Sequence, residues 1–171
     1  YACVSYVDAL VGRLLDQIDA LGLGEETVIC LWGDHGFHLG EQGLWAKASN
    51  YELSVRVPLI LSAPGQKETG AESSALVELV DLYPTLVESC GFAVPEGLQG
   101  TSFRVLLDEP LRSWKTAAFS QYPRAYQGNR HRSHGDIMGY SVRTDQHRYV
   151  EWRDWKSGEV KARELYDHET D

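Results

Sequence analysis

A chain of 171 residues, 43% of them apolar, has the length and the apolar content for one compact domain, or for a domain with a small subdomain beside it. Its net charge of −9 argues against a general nucleic-acid or membrane-surface binder, although a local basic patch can still hold a small anion. No apolar run approaches the roughly 18 residues of a membrane-spanning helix, and Cys3, Cys30 and Cys90 show no close pairing motif that would fix a redox compartment.

Val4, Val7, Val11, Leu14, Ile18 and Leu21 recur at alternating three- and four-residue intervals, which predicts an amphipathic helix with one buried stripe, ended by Gly22 and Gly24. Thr27 to Trp32 is a short β-branched and apolar run without alternation, as expected for a strand covered on both faces, and Cys30 inside it reads as a buried thiol. Val57 to Ser62 reads as a second such strand. Its Pro58 has to lie near the beginning, where a missing amide donor is tolerated, and Ala63-Pro64-Gly65 ends it. Open parallel sheets gather ligands outside the carboxyl ends of their strands, and Asp34 and His35 sit at that end of the first one.

Polar residues from Gln66 to Ser74 form a loop, and Leu76 to Leu79 leads into a helix capped by Asp81 with Pro84 in its first turn. After Gly91 the texture changes. Pro95, Gly97 and Gly100 punctuate a linker, and strand-like runs at Ala117 to Gln121, Gly139 to Arg143 and Arg148 to Trp152 predict a small antiparallel subdomain from about residue 113. The organisation expected is therefore an α/β part over residues 1–112 and a β-rich part over residues 113–171, without internal repeats or low-complexity tracts.

The chemistry concentrates near Asp34, His35 and, thirteen residues after the aspartate, Lys47. A carboxylate with an imidazole suits a divalent cation, and a nearby ammonium suits an anionic oxygen held against that cation, which points to a sulfate or phosphate ester. Each residue has a plainer reading. Asp-His-Gly alone is as much a turn as a ligand pair, and a lone lysine is usually a surface residue. His38 reads as a solvent-exposed or loop-packing histidine, at most on the rim of a site. Arg124, Arg130, His131, Arg132 and His134 form the one basic cluster, on a segment rich in Gly, Asn and Tyr. It is either a solvated loop or a specificity loop in which Arg124 and Arg132 recognise a carboxylate or a second sulfate.

Gly33-Asp34-His35-Gly36, the Leu39-Gly40-Glu41-x-Gly43 turn, Lys47 and Arg56-Val57-Pro58-Leu59-Ile60 stand in the order and spacing seen in sulfatases of the alkaline-phosphatase-like superfamily, and nearly the whole chain fits. Val80-Asp81-Leu82-Tyr83-Pro84-Thr85-Leu86, Ser120-Gln121-Tyr122-Pro123-Arg124, Met138-Gly139-Tyr140-Ser141-Val142-Arg143-Thr144 and Glu164-Leu165-Tyr166-Asp167 resemble the iduronate-2-sulfatase group and its bacterial relatives. The resemblance implies the C-terminal part of a mixed α/β sheet with flanking helices, followed by the antiparallel β-rich subdomain. It implies Ca2+, or another divalent metal, as cofactor, with Asp34 as a ligand beside the nucleophile, where its carboxylate also helps to remove a proton from the attacking oxygen. His35 is then a second ligand or a hydrogen-bonding partner of the sulfate, and Lys47 contacts the sulfate ester. The substrate implied is a sulfated small molecule or carbohydrate.

The family's nucleophile is a formylglycine made from a C/S-x-P-x-R motif, and none of the three cysteines has that context. Paired aspartates of the kind that open the family's first strand do not occur near Tyr1. The expectation is the C-terminal part of a longer enzyme, inactive by itself, with an N-terminal sulfatase segment as its partner. Two alternatives stay open: a phosphoesterase or phosphonate hydrolase of the same superfamily, and a non-catalytic binding module derived from a sulfatase. The basic loop departs from the family's lysosomal member and is shorter, so the identity of the sugar does not carry over.

Overall fold

The computed structural model describes residues 1–124 and 136–170; Arg130, His131, Arg132 and His134 lie outside the described residues. The first helix forms as predicted, as α1 (Ala2–Ala20). Its end is a Schellman turn: Gly22 adopts φ of 69°, Gly22 N–H bonds to Asp19 O and Leu23 N–H reaches back to Ile18 O. The stripe, however, is not buried. No residue of α1 is buried, and Val4, Val7, Leu14 and Leu21 are all exposed. Amphipathic spacing records that a face was selected for burial but not what covers it, and none of the described residues does so.

The second feature to differ is strand pairing. β1 (Ile29–Trp32) leads through two short strands, β2 (His38–Leu39) and β3 (Trp45–Ala46), and a single helical turn, α2 (Glu52–Val55), to β4 (Leu59–Ser62). The two longer strands pair with each other antiparallel, Trp32 opposite Leu59 and Ile29 opposite Ser62, not side by side in a parallel sheet. The connection between them holds short strands and single helical turns, not the long helix that usually makes the crossover of a parallel pair. Pro58 falls just before β4, where its missing donor is harmless, and its carbonyl accepts Gly33 N–H at 3.1 Å. One face of this pair, carrying Cys30, Leu59 and Leu61, packs on a core of Leu82, Phe103 and Leu106 with Val77 and Trp114. Burial raises the Cys30 thiol pKa accordingly. The opposite face, with Leu31 and Ile60, is open.

α3 (Leu82–Ser89) begins after a 3-10 turn, Leu79–Asp81, and Pro84 sits in its first turn. Asp81 occupies the N-cap position but its side chain does not cap α3. The fully buried carboxylate instead accepts Glu78 N–H at 2.9 Å, Thr101 N–H at 2.7 Å and the Lys115 ammonium at 2.8 Å on each oxygen. A buried charge must be paired, and this demand outweighs a surface cap. Lys115 also reaches Glu78 Oε2 at 2.9 Å, and Glu78 Oε1 accepts Phe119 N–H, so the pair ties α3 to the strand that follows.

That strand, β5 (Ala118–Arg124), opens a four-stranded antiparallel sheet with β6 (Ile137–Arg143), β7 (His147–Asp154) and β8 (Val160–Asp167), paired in chain order. Register aligns Tyr122, Gly139 and Trp152, and likewise Ser120, Ser141, Val150 and Glu164, on one face. Val150 and Trp152 are buried there. The sequence did not announce β8 as a strand, because its inward positions are polar Glu164 and Tyr166 whereas Leu165 points to solvent.

Candidate active site

Because β1 and β4 run antiparallel, residues 33–58 leave and return at one end of the pair, closed by the Gly33–Pro58 hydrogen bond. Asp34, His35 and Lys47 all ride on this connection. The Asp34 side chain is 83% exposed, and its Oδ1 accepts His35 N–H at 3.0 Å. His35 Nδ1 lies 2.8 Å from Gly36 O, a group that can only accept, so Nδ1 carries the proton and Nε2 keeps a free lone pair when the ring is neutral. That nitrogen stands 3.5 Å from Asp34 Oδ1. Two electron-rich atoms so placed are held together by a shared proton or a cation, and a backbone carbonyl on Nδ1 is the usual outer support of a metal-binding imidazole. The pair offers a divalent ion one carboxylate oxygen and one imidazole nitrogen, of which the oxygen is the donor type that calcium takes. Among the described residues no group of three or more His, Cys, Asp or Glu gathers around it.

Lys47 is exposed and, among the described residues, its ammonium has no ion-pair partner. The backbone before it is constrained: Ala46 holds φ of 70°, the left-handed region that costs a residue with a Cβ roughly 1–2 kcal/mol. The β2–β3 pair that precedes it places His38 opposite Ala46. No contact joins Lys47 directly to Asp34 or His35; what joins their segments is His38.

His38 is fully buried, which rules out its solvent-exposed reading and a place on the rim and leaves the loop-packing one. Its Nε2 lies 3.1 Å from Ser49 Oγ and 2.9 Å from Ser54 Oγ, and the two hydroxyls are 2.6 Å apart. Tyr51 closes the cluster edge-on, with ring centroids at 6.1 Å. On the other side Gly36 N–H donates to Ser54 O at 2.8 Å, in an approach so close that a Cβ on Gly36 would collide with Leu53 O. Imidazole and hydroxyls thus bind the Asp34 segment to the Lys47 segment. His38→Ala is expected to leave both buried hydroxyls without their imidazole and a cavity beside them, lowering unfolding free energy by about 2–4 kcal/mol. A urea midpoint equal to that of the unmodified protein would show the cluster to be idle.

A second anchor was not foreseen from the sequence. Glu52 Oε2 receives Arg148 Nη2 at 2.6 Å and Arg148 Nε at 3.1 Å, with Arg143 Nε at 3.4 Å and His168 Nε2 at 3.6 Å. Burial works against the Glu52 carboxylate, but the Arg148 hydrogen bonds and the surrounding positive charges outweigh it and hold its pKa below the ordinary glutamate value. Its ion pairs therefore contribute stability above that ordinary value and lose it as pH falls through the depressed one. The one local signal was the pair of arginines at inward, period-2 positions of β6 and β7, which implies a buried counter-charge.

Arg124 ends β5 with its guanidinium 4.9 Å above the centre of the Trp152 ring, a cation–π stack. Trp152 is fixed in turn by donating Nε1–H to Glu164 Oε1 at 3.1 Å. Arg132, the other arginine singled out from the sequence, lies outside the described residues.

The family described as N-sulphoglucosamine sulphohydrolase, C-terminal, matches residues 40–171. Human iduronate 2-sulfatase is 35% identical over 95% of this chain, which spans 38% of that protein's length. A protein solved in complex with its substrate D-glucosamine-2-N,6-O-disulfate superposes with a TM-score of 0.79 at 31% identity, over 97% of this chain and 32% of its own. The phosphonate monoester hydrolase of Silicibacter pomeroyi superposes equally well, with a TM-score of 0.80 at 26% identity over 96% of this chain and 33% of its own. The chain therefore belongs to the sulfatases, whose C-terminal domain it carries.

Proposed function

We propose that these residues form the C-terminal part of a longer sulfate ester hydrolase that acts on a sulfated carbohydrate, with a formylglycine nucleophile and the remaining cation ligands on a preceding segment. The observation that carries this reading is one anchored connection bearing both a carboxylate–imidazole pair and an ammonium without a counter-ion among the described residues. Two further facts support it: the chain spans 38% of its human relative, and the apolar stripe of α1 and the outer face of the β1–β4 pair are open, as surfaces awaiting such a segment would be.

Asp34 would hold the cation, calcium being the ion that suits its oxygen, with His35 as a second ligand or as a hydrogen-bonding partner of the sulfate. When bound, the cation neutralises sulfate oxygens and favours attack on sulfur. The Lys47 ammonium faces the bridging ester oxygen, offsetting the negative charge that develops there as the sulfur–oxygen bond breaks. Arg124, already oriented by Trp152, presents its N–H edge to a further anionic group of the sugar, and Arg132 is assigned the same task.

A second reading, phosphonate ester hydrolysis, is favoured by the superposition on the Silicibacter pomeroyi enzyme. Comparing release of phenol from an aryl sulfate and an aryl phosphonate by the longer polypeptide decides between them. Faster turnover of the phosphonate would overturn the sulfatase reading, and retention of a sulfated sugar without turnover of either ester would make the protein a binding module. The 171-residue chain by itself is expected to show no turnover of an aryl sulfate and to bind a hydrophobic dye through its open faces. Measurable hydrolysis by the pure chain would mean that the chemistry does not need the preceding segment.

A further inference from the structure

We propose that Glu52 is a positioning residue for Lys47, fastening the lysine's connection to the inner face of the four-stranded sheet; this rests on the sulfatase reading above. Glu52 stands five residues beyond Lys47, at the start of α2. Its carboxylate faces side chains from three places: the guanidinium groups of Arg143 on β6 and Arg148 on β7, and the imidazole of His168 just past β8. Arg148 is 3% exposed and grips the connection twice, through Glu52 Oε2 and, from Nη1, at Asn50 O at 3.4 Å. The same Nη1 donates to Ser141 Oγ at 2.8 Å, which fixes the guanidinium plane. Only Ala48 and Ser49 separate Lys47 from Asn50, and Ser49 N–H bonds to Lys47 O at 2.8 Å. Beside this grip the Asn50 amide lies buried over Gly139 and the Trp152 ring, and the Tyr51 ring meets Tyr166 edge-on at 5.7 Å.

Such a cluster is an inefficient way to gain stability. Taking several charges out of water costs about as much as their pairing returns, and apolar packing of the same volume is often as stable. What an ion pair adds is geometry, because a guanidinium that must satisfy an oxygen, a carbonyl and a hydroxyl at once accepts few positions for the chain it holds. The carboxylate therefore sets where the backbone of residues 47–52 lies against the sheet, and with it where the Lys47 ammonium is presented.

The test is a double-mutant cycle in the longer enzyme with an aryl sulfate as substrate. Glu52→Gln keeps the shape and removes the charge, and it is expected to lower kcat about tenfold with little change in KM when Lys47 is present. In a Lys47→Ala background the same substitution is expected to cost less than about twofold, since there is no ammonium left to misplace. Arg148→Lys, which keeps the charge but loses the fork, is expected to give an intermediate loss. Equal losses in both backgrounds, or no loss in either, would overturn the proposal. Tryptic cleavage after Lys47, measured against cleavage after Lys156, needs no activity: it is expected to quicken in Glu52→Gln and in Arg148→Lys. If the unmodified enzyme turned over no sulfate ester, the function would be wrong and cleavage alone would decide, an unchanged ratio in both variants overturning the anchor.

Discussion

Lys47→Ala in the longer enzyme is expected to slow turnover of every sulfate ester by about 10²–10³-fold, or ~2.7–4 kcal/mol of transition-state stabilisation. The ammonium has no competing carboxylate among the described residues, so its full charge is available to the ester oxygen as that atom becomes anionic. It acts at the group common to all substrates, and the loss should appear in kcat for a small aryl sulfate as well as for a sulfated uronate. Arg124→Ala provides the contrast. Its guanidinium sits on Trp152 at the end of β5, away from the Asp34–Lys47 connection in sequence, and its removal should raise KM only for the substrate with an additional anion. Steady-state kinetics with both substrates on both variants give the answer. A Lys47→Ala enzyme that retained its turnover on the aryl sulfate would take the lysine out of the chemistry.

The second large effect is expected at Asp34. Asn replaces Asp there with almost no change in shape, so Asp34→Asn isolates the charge. With a neutral amide in place of the carboxylate, His35 Nε2 loses the anionic partner that stands 3.5 Å away, and a divalent ion loses its hard oxygen donor in this chain. Changing mere supports of a metal site costs 10–100-fold, and a direct ligand should cost more, so affinity for calcium is expected to fall by roughly 100-fold or beyond, with turnover following it. Calcium titration by calorimetry beside single-turnover kinetics separates the two. Unchanged affinity with slowed chemistry would assign Asp34 to proton transfer instead of the metal.

Much of this was legible in local pattern. The i, i+3, i+4 spacing gave α1, the β-branched run gave β1, and Asp34, His35 and Lys47 stood out by residue type on the connection that follows β1. What stayed hidden depends on who meets whom. A strand of Ile29–Trp32 reads alike whether its neighbour runs with it or against it, because the residues of one strand do not record the direction of its partner. His38 looked like any loop histidine because its partners, Ser49 and Ser54, are 11 and 16 residues away. Glu52 and Arg148 are 96 residues apart, and no window short enough to show periodicity contains both. The stripe of α1 shows the reverse case, a correct pattern whose cover is not among the described residues.

The left-handed turn at Ala46 sets stability and shape against each other at a single residue. A glycine there would relieve the roughly 1–2 kcal/mol that a Cβ costs at such an angle. It would also open many more backbone angles to the segment just ahead of the lysine, and the folded state would have to give up that freedom each time the ester is met. Selection for a sturdier protein and selection for a faster one therefore pull in opposite directions at position 46. Library screens that score only heat resistance will tend to drift toward the smaller residue and lose the stiffness that aims the charge.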